Sequence, residues 1–278
     1  MSDNLAAALT AHFGPDGLRG LGVAPAGPLR EPGLPRQVGR YFTAPVPSDP
    51  LSLGEYAGIG GGSAGEAAGQ LRIGTDGGAQ LYFAPDRSVR AVVLGTNLPE
   101  MAVNASVEAF AESLLRLDAH LGRATEWAGQ DAAFEDYLAL RRTLVAIDPE
   151  AFAERESWWP RVLDDLRLPL NVLSGAAFEY VDAQGGKQIV SEQTEPGLPH
   201  PEELVWHRLQ AAGVEPEQVT KVYCELKPCL LPGHYCAIWM QQAFPQAEFT
   251  HRFDFGSTAE SREDAVRALM LSVADEDG

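Results

Sequence analysis

The sequence predicts two mixed domains in tandem: an α+β domain over residues 1–169, then an α/β/α domain with a helix-covered sheet over residues 170–278. Three observations lead there. With 278 residues, 45% of them hydrophobic, the chain can supply two ordinary cores. Short apolar runs precede helical periodicity in the first half, whereas strand and helix patterns alternate in the second. The character of the chain changes after Leu168-Pro169-Leu170.

The elements follow in order. Residues 20–50 are rich in Pro and Gly and read as irregular connection with short strands; residues 58–69 read as a flexible loop. From Leu71 come three strand-like runs, LRIGT, AQLYFAP and VRAVVLG, separated by turn residues. Val107, Phe110, Leu114, Leu117 and Leu121 recur at helical spacing and put one apolar face on a helix starting near Ser106. Further helical patterns cover residues 133–145 and 158–166. In the second half, residues 177–190 form a hairpin about the turn 182–186. A helix over 201–212, a strand over 219–226 and a helix over 236–244 come next, stopped by Gly213 and Pro245 where they end. Residues 248–255 alternate, with Phe249, His251, Phe253 and Phe255 on one face. Ser257 and Glu260 make a capping box that opens a last helix to about Leu271.

Charge and cysteine usage narrow the chemistry. The net charge is −18, divided as −8 over residues 1–169 and −10 over 170–278, with no basic run in either half. Such a chain repels nucleic acid at long range, so binding it needs a local groove or a small footprint. No window approaches the ~18 apolar residues of a membrane span. The start MSDNLAAALTAHFG lacks the basic and apolar regions of a signal peptide, so no membrane association and a cytoplasmic location are expected. The three cysteines, Cys224, Cys229 and Cys236, lie together near the C-terminus. A disulfide scaffold would spread them; a cluster points to a metal or a reactive site.

A catalytic zinc site needs three His or Cys ligands and one open position for water, whose pKa falls toward ~7. A carboxylate that is not a ligand must then carry the proton. The sequence offers His200-Pro201-Glu202, then Pro228-Cys229, then Cys236. Pro201 suits the first position of a helix, which places His200 at the cap and Glu202 in the first turn. Cys229 falls just past a strand, and Cys236 opens a helix whose dipole favours thiolate. Isolated H-x-E triplets are common and a histidine at a helix start often only caps it; here the triplet precedes clustered cysteines in the order a deaminase site uses. The cysteines are separated by six residues rather than two, so His234 stays open as a substitute ligand. A closed structural site would take His234 or Cys224 as fourth ligand, but it has no use for Glu202. Cys224 reads as a core residue, Glu225 and Lys227 as strand-end charges, His207 as helix surface, His251 as packed on its strand, and Trp239 as core.

The stretches HPE, VYCELKPC and PGHYCAIWMQQAFPQAEFTHRFDFG resemble the cytidine deaminase-like superfamily, within it the nucleic acid/nucleotide deaminase domains of bacterial polymorphic toxin systems. The resemblance implies a three-layer α/β/α fold, Zn2+ held by His200, Cys229 and Cys236, and Glu202 as proton shuttle. It further implies hydrolytic deamination of a nucleobase, cytosine favoured over adenine, in nucleic acid (single-stranded DNA favoured) or nucleotide. In the first half, LRIGTDGGAQLYFAPDRSVRAVVLG, NASVEAFAESLLRL and SWWPRVLDDL resemble the SUKH superfamily of bacterial immunity proteins. That implies a module binding a protein partner. No residue there earns a catalytic role, and Gly60-Gly-Gly62 lacks the Lys-Ser/Thr of a phosphate loop. Two readings follow: a zinc deaminase acting as a toxin or defence effector, or an immunity protein whose zinc domain is an inert scaffold.

Overall fold

The computed structural model describes residues 2–21, 33–49, 51–60, 62–124 and 127–276. It divides into two compact units, Met1–Leu163 and Asp164–Gly278.

The first unit opens with helix α1 (Ser2–Phe13) and the two-stranded pair β1 (Leu18–Arg19) and β2 (Leu34–Pro35). Strands β3 (Gln37–Val38) and β4 (Phe42–Thr43) lead to helix α2 (Leu53–Ile59). Then come β5 (Arg72–Thr75), β6 (Gln80–Phe83), β7 (Val89–Val92) and β8 (Met101–Asn104). Helices α3 (Val107–Arg123) and α4 (Gln130–Ile147) follow, and α5 (Trp158–Asn171) begins in this unit and ends in the next. Strands β3 to β8 form one antiparallel sheet in chain order. Of the stretch read as irregular connection, residues 22–32 and 50 lie outside the described residues. Part of the stretch read as a loop, in which Gly61 is undescribed, is helical: the Ser52 hydroxyl accepts from the Glu55 amide and Glu55 accepts from the Ser52 amide, closing a capping box at α2.

Helix α3 starts where the pattern places it, with the Ser106 hydroxyl accepting from the Ala109 amide at 3.1 Å. Its Phe110 packs edge-to-face between Phe42 and Trp158, with centroids at 5.4 and 6.4 Å. Trp158 and Trp159 are fully buried, and each finds a polar partner: Trp158 Nε1 donates to Asp76 Oδ2 at 2.7 Å and Trp159 Nε1 to Asn104 Oδ1 at 2.8 Å. Asp76 is itself wholly buried, its other oxygen accepting from the Ala79 amide at 2.7 Å.

The second unit contains β9 (Gly175–Val181), β10 (Lys187–Gln193), α6 (Pro201–Ala211), β11 (Val219–Leu226), α7 (Cys236–Ala243), β12 (Glu248–Phe253) and α8 (Ala259–Glu276). The sheet runs β10-β9-β11-β12, with β11 and β12 parallel and the other neighbours antiparallel. Alternation on β11 separates two environments: Val222, Cys224 and Leu226 are buried, Lys221 and Tyr223 exposed. The buried set joins Phe178, Val205, Leu209, Met240, Phe244, Ala265 and Leu269 in one core. Among the described residues of this unit that core uses one sheet face; the polar residues of the other face suit solvent, as antiparallel sheets allow. Of the expected helices on both faces, the packing described therefore shows one layer. Helix α5 runs five residues past the expected 166, because Pro169 falls in its last turn, where the missing N–H deprives only the Asp165 carbonyl of a helical donor. On β12, Phe249 and His251 are exposed rather than packed. Among the described residues no helix is long and apolar enough to cross a membrane.

Asp76 gives a direct stability test. Asp76→Ala strands the Trp158 indole N–H and the Ala79 amide in the core, and we expect a loss of about 2–4 kcal/mol in the first unit. The readout is the urea midpoint followed by tryptophan fluorescence; an unchanged midpoint would show that this anchoring contributes nothing.

Candidate metal centre

The centre assembles from the ends of secondary structure. Pro201 is the first residue of α6, and His200 caps it with extended backbone (φ −60°, ψ 152°). The cap amide is satisfied by Glu203, whose Oε2 accepts from the His200 N–H at 3.0 Å. This frees the His200 ring from capping. Cys229 lies three residues past the end of β11, and Cys236 is the first residue of α7. Before it Tyr235 holds a left-handed conformation (φ 45°), a strained state for a bulky residue that turns the chain into α7 with Cys236 facing inward.

His200, Cys229 and Cys236 are all buried, and their donor atoms lie within 4.8 Å of one another. His200 Nδ1 is 3.5 Å from Cys229 Sγ and 3.5 Å from Cys236 Sγ. A metal–sulfur bond of about 2.3 Å and a metal–nitrogen bond of about 2.0–2.1 Å, meeting at a tetrahedral angle, span about 3.5 Å. The donors present therefore fit zinc: two soft thiols and one imidazole, already at coordinating separation. Burial opposes the charge of every one of these groups. The Cys229 and Asp165 charges nonetheless outweigh it and hold the His200 pKa well above its usual value. For Cys229, a hydrogen bond from Cys236 and the His200 charge overcome burial and hold the thiol well below the usual range, while burial and the adjacent Cys229 keep Cys236 well above it. A proton shared by two thiols beside an imidazole is what a cation displaces.

Glu202 is 5% exposed, and burial raises its pKa above the ordinary carboxylate range. The Cys224 thiol hydrogen-bonds to it, while its Oε2 has no hydrogen-bond partner among the described residues. A buried acceptor left open inside a site is poised for a ligand or water. The four residues expected from the sequence thus come together. His234 is placed otherwise than as a fourth donor on the cluster: its Nδ1 lies 2.5 Å from Glu203 Oε2 and its Nε2 3.2 Å from Asp165 Oδ2. Its ring stacks on His200 at 3.6 Å and 6°. Asp165 Oδ1 also meets His200 Nε2, at 2.8 Å, so Asp165, His200 and His234 form a second close donor set. Trp239 packs against the core beside Phe244, His207 is exposed, Glu225 accepts from the Gly175 amide, and Lys227 pairs with Asp254 on the surface.

Sequence reasoning missed three members. Glu203 carried a signal, since a glutamate at the third helical position reaches back to the cap. Cys224 is a core residue, as its place on the strand implies, but its parity on β11 also turns it to Glu202. Asp165 carried none, lying 35 residues before His200 on another element.

Residues 172–272 match the family described as Xanthomonas-like deaminase, and residues 11–165 the family described as SUKH-4 immunity protein. No curated protein and no solved structure matches the chain.

The cluster predicts about one zinc per chain, measured by plasma mass spectrometry on protein purified without chelator. Cys229→Ser is expected to retain less than about a tenth of the parent's metal, because coordination needs the thiolate. Equal metal content in both would remove the cluster as the site.

Proposed function

The chain belongs to the SUKH-4 immunity protein family and carries a deaminase-family domain after it, and from that premise we propose that the second domain is a zinc-dependent nucleobase deaminase. On this reading residues 170–278 form the catalytic domain and residues 1–169 a SUKH-like domain that binds a protein partner, the whole serving a bacterial toxin or defence system. The observation that carries it is Glu202: a buried carboxylate with raised pKa and an open oxygen, electrostatically coupled to His200, Cys229 and Cys236.

Zinc held by His200, Cys229 and Cys236 would supply Lewis acidity and lower the pKa of water at the site. Glu202 does the rest of the proton work. Its raised pKa lets it accept a proton from the attacking water near neutral pH and return it to the leaving amine, so that ammonia departs and a carbonyl replaces the exocyclic amine. Cys224, hydrogen-bonded to the carboxyl, keeps it aimed. A site buried this deeply admits only a base that is free, or unstacked from its strand. The −10 charge of residues 170–278 supports nucleotides and single-stranded DNA over duplex substrates. Cytosine ahead of adenine rests on family resemblance alone.

A second reading draws on the SUKH-4 match, which spans more than half of the chain: an immunity protein whose metal domain is an inert scaffold. One experiment separates them. Zinc-loaded protein is incubated with nucleosides, nucleotides, single- and double-stranded DNA, and RNA, and the products are weighed. We expect a gain of about 1 Da per base on one class, from amine replaced by oxygen. Glu202→Ala should reduce the rate by about 10²–10⁴-fold while keeping its zinc. Bound zinc with every substrate unchanged would favour the scaffold.

A further inference from the structure

The proposed chemistry uses His200 Nδ1 and leaves unexplained why a buried carboxylate and a second imidazole crowd the other side of the same ring. Asp165 is 4% exposed, and its two oxygens are divided between two histidines: Oδ1 lies 2.8 Å from His200 Nε2 and Oδ2 3.2 Å from His234 Nε2. Glu203 Oε2 then joins His234 Nδ1, at 2.5 Å, to the His200 backbone N–H, at 3.0 Å. The contacts close a ring: His200 amide, Glu203, His234, Asp165, His200 imidazole. The parallel stack of the two imidazoles, 3.6 Å apart, fills the middle of it.

A neutral imidazole has one N–H and one lone pair. Facing the Asp165 carboxylate at 2.8 Å, Nε2 must carry the hydrogen, since a lone pair there would be repelled. Once a cation displaces the Nδ1 proton, Nδ1, 3.5 Å from both sulfurs, is then the lone pair that faces it. The geometry points to Asp165 as the positioning residue of the metal centre, fixing the tautomer and plane of His200, with His234 clamping Asp165 and the ring in place. This inference rests on the reading of the site as a zinc centre. It gives the long gap between the cysteines a purpose. The six residues 230–235 carry His234 onto the face of His200, with each of its nitrogens on a carboxylate. It also places a functional residue outside the deaminase-family segment, which begins at residue 172.

The test uses the full chain with Asp165→Asn, Asp165→Ala and His234→Ala. Zinc affinity is measured by chelator competition, the Co2+ spectrum reports the ligand field, and ring ¹⁵N shifts report the His200 tautomer. We expect the parent to bind one metal with His200 protonated at Nε2. Asp165→Ala should bind zinc about 10–100-fold more weakly, with the cobalt ligand-field bands altered and the thiolate charge-transfer band retained. Asp165→Asn, which keeps one acceptor oxygen, should recover part of that loss and covers the case in which the alanine variant does not fold. His234→Ala should keep one metal per chain and lose affinity less than Asp165→Ala. A merely structural role would lower the melting temperature and leave the cobalt bands and the tautomer unchanged. The inference is overturned if Asp165→Ala and Asp165→Asn bind zinc within about twofold of the parent. It is overturned equally by two metals per chain, which would make Asp165 a ligand. Zinc bound by a parent that deaminates nothing would end the functional reading while these affinities still decide the role of Asp165; a parent that binds no zinc ends both.

Discussion

One imidazole organises the second unit. His200 sits between a buried carboxylate on one nitrogen and two buried thiols on the other, and no arrangement of apolar side chains would tolerate that concentration of polar groups without partners. The fold supplies the partners by bringing chain ends to a common point. The N-termini of α6 and α7 converge there, where helix dipoles favour anionic sulfur and carboxylate. Cys229 arrives from the end of β11, and Asp165 from α5. Strand β11 ties these together by parity: Val222 and Leu226 feed the apolar core on the same face that turns Cys224 to Glu202.

Helix α5 follows a related rule. Its first turn carries Trp158 and Trp159 into the core of the first unit, each indole N–H satisfied by a buried acceptor. From its middle onward it carries Asp164 to Arg262 on α8 at 2.9 Å and Leu168 into the core of the second unit. The two family segments stop at residue 165 and resume at 172, so the break between them falls inside one continuous helix. A boundary drawn where composition changes, at Leu168-Pro169-Leu170, therefore differs from one drawn by contacts at 163 and 164. Proline near a helix end reads as a break from the sequence although it removes only a single bond.

What the sequence disclosed and what it hid divide along range of interaction. Helix α3 and strand β11 were legible because periodicity and alternation are local, and His200, Glu202, Cys229 and Cys236 because they stand in short motifs around clustered His and Cys, which are rare residue types. The strands β1 to β4, two residues each, carry no period to detect. Helix α2 was hidden by glycines that outweighed its capping box. The groups that support the site were hidden for another reason: Asp165 and Asp76 are ordinary acidic residues in sequence, and only partners 35 and 82 positions away reveal them as buried acceptors. His234 stood open as a ligand because spacing reports reach and not direction, whereas its two carboxylate contacts report direction.

The same distinction bears on why Glu202 argues for chemistry. A closed metal site needs its donors and nothing more, and a carboxylate buried beside it costs free energy unless both oxygens are hydrogen-bonded. Glu202 has a donor on one side, in Cys224, and an open Oε2 on the other. Stability alone would replace it with an apolar residue of similar size. On the proposed reading, a water or an exocyclic amine completes the missing bond during turnover. Because residues 170–278 carry a charge of −10, the proposed reading leaves recognition of that group to contacts at the site and not to the field outside it. The same helix end that positions His200 thereby carries the group on which the proposed chemistry depends.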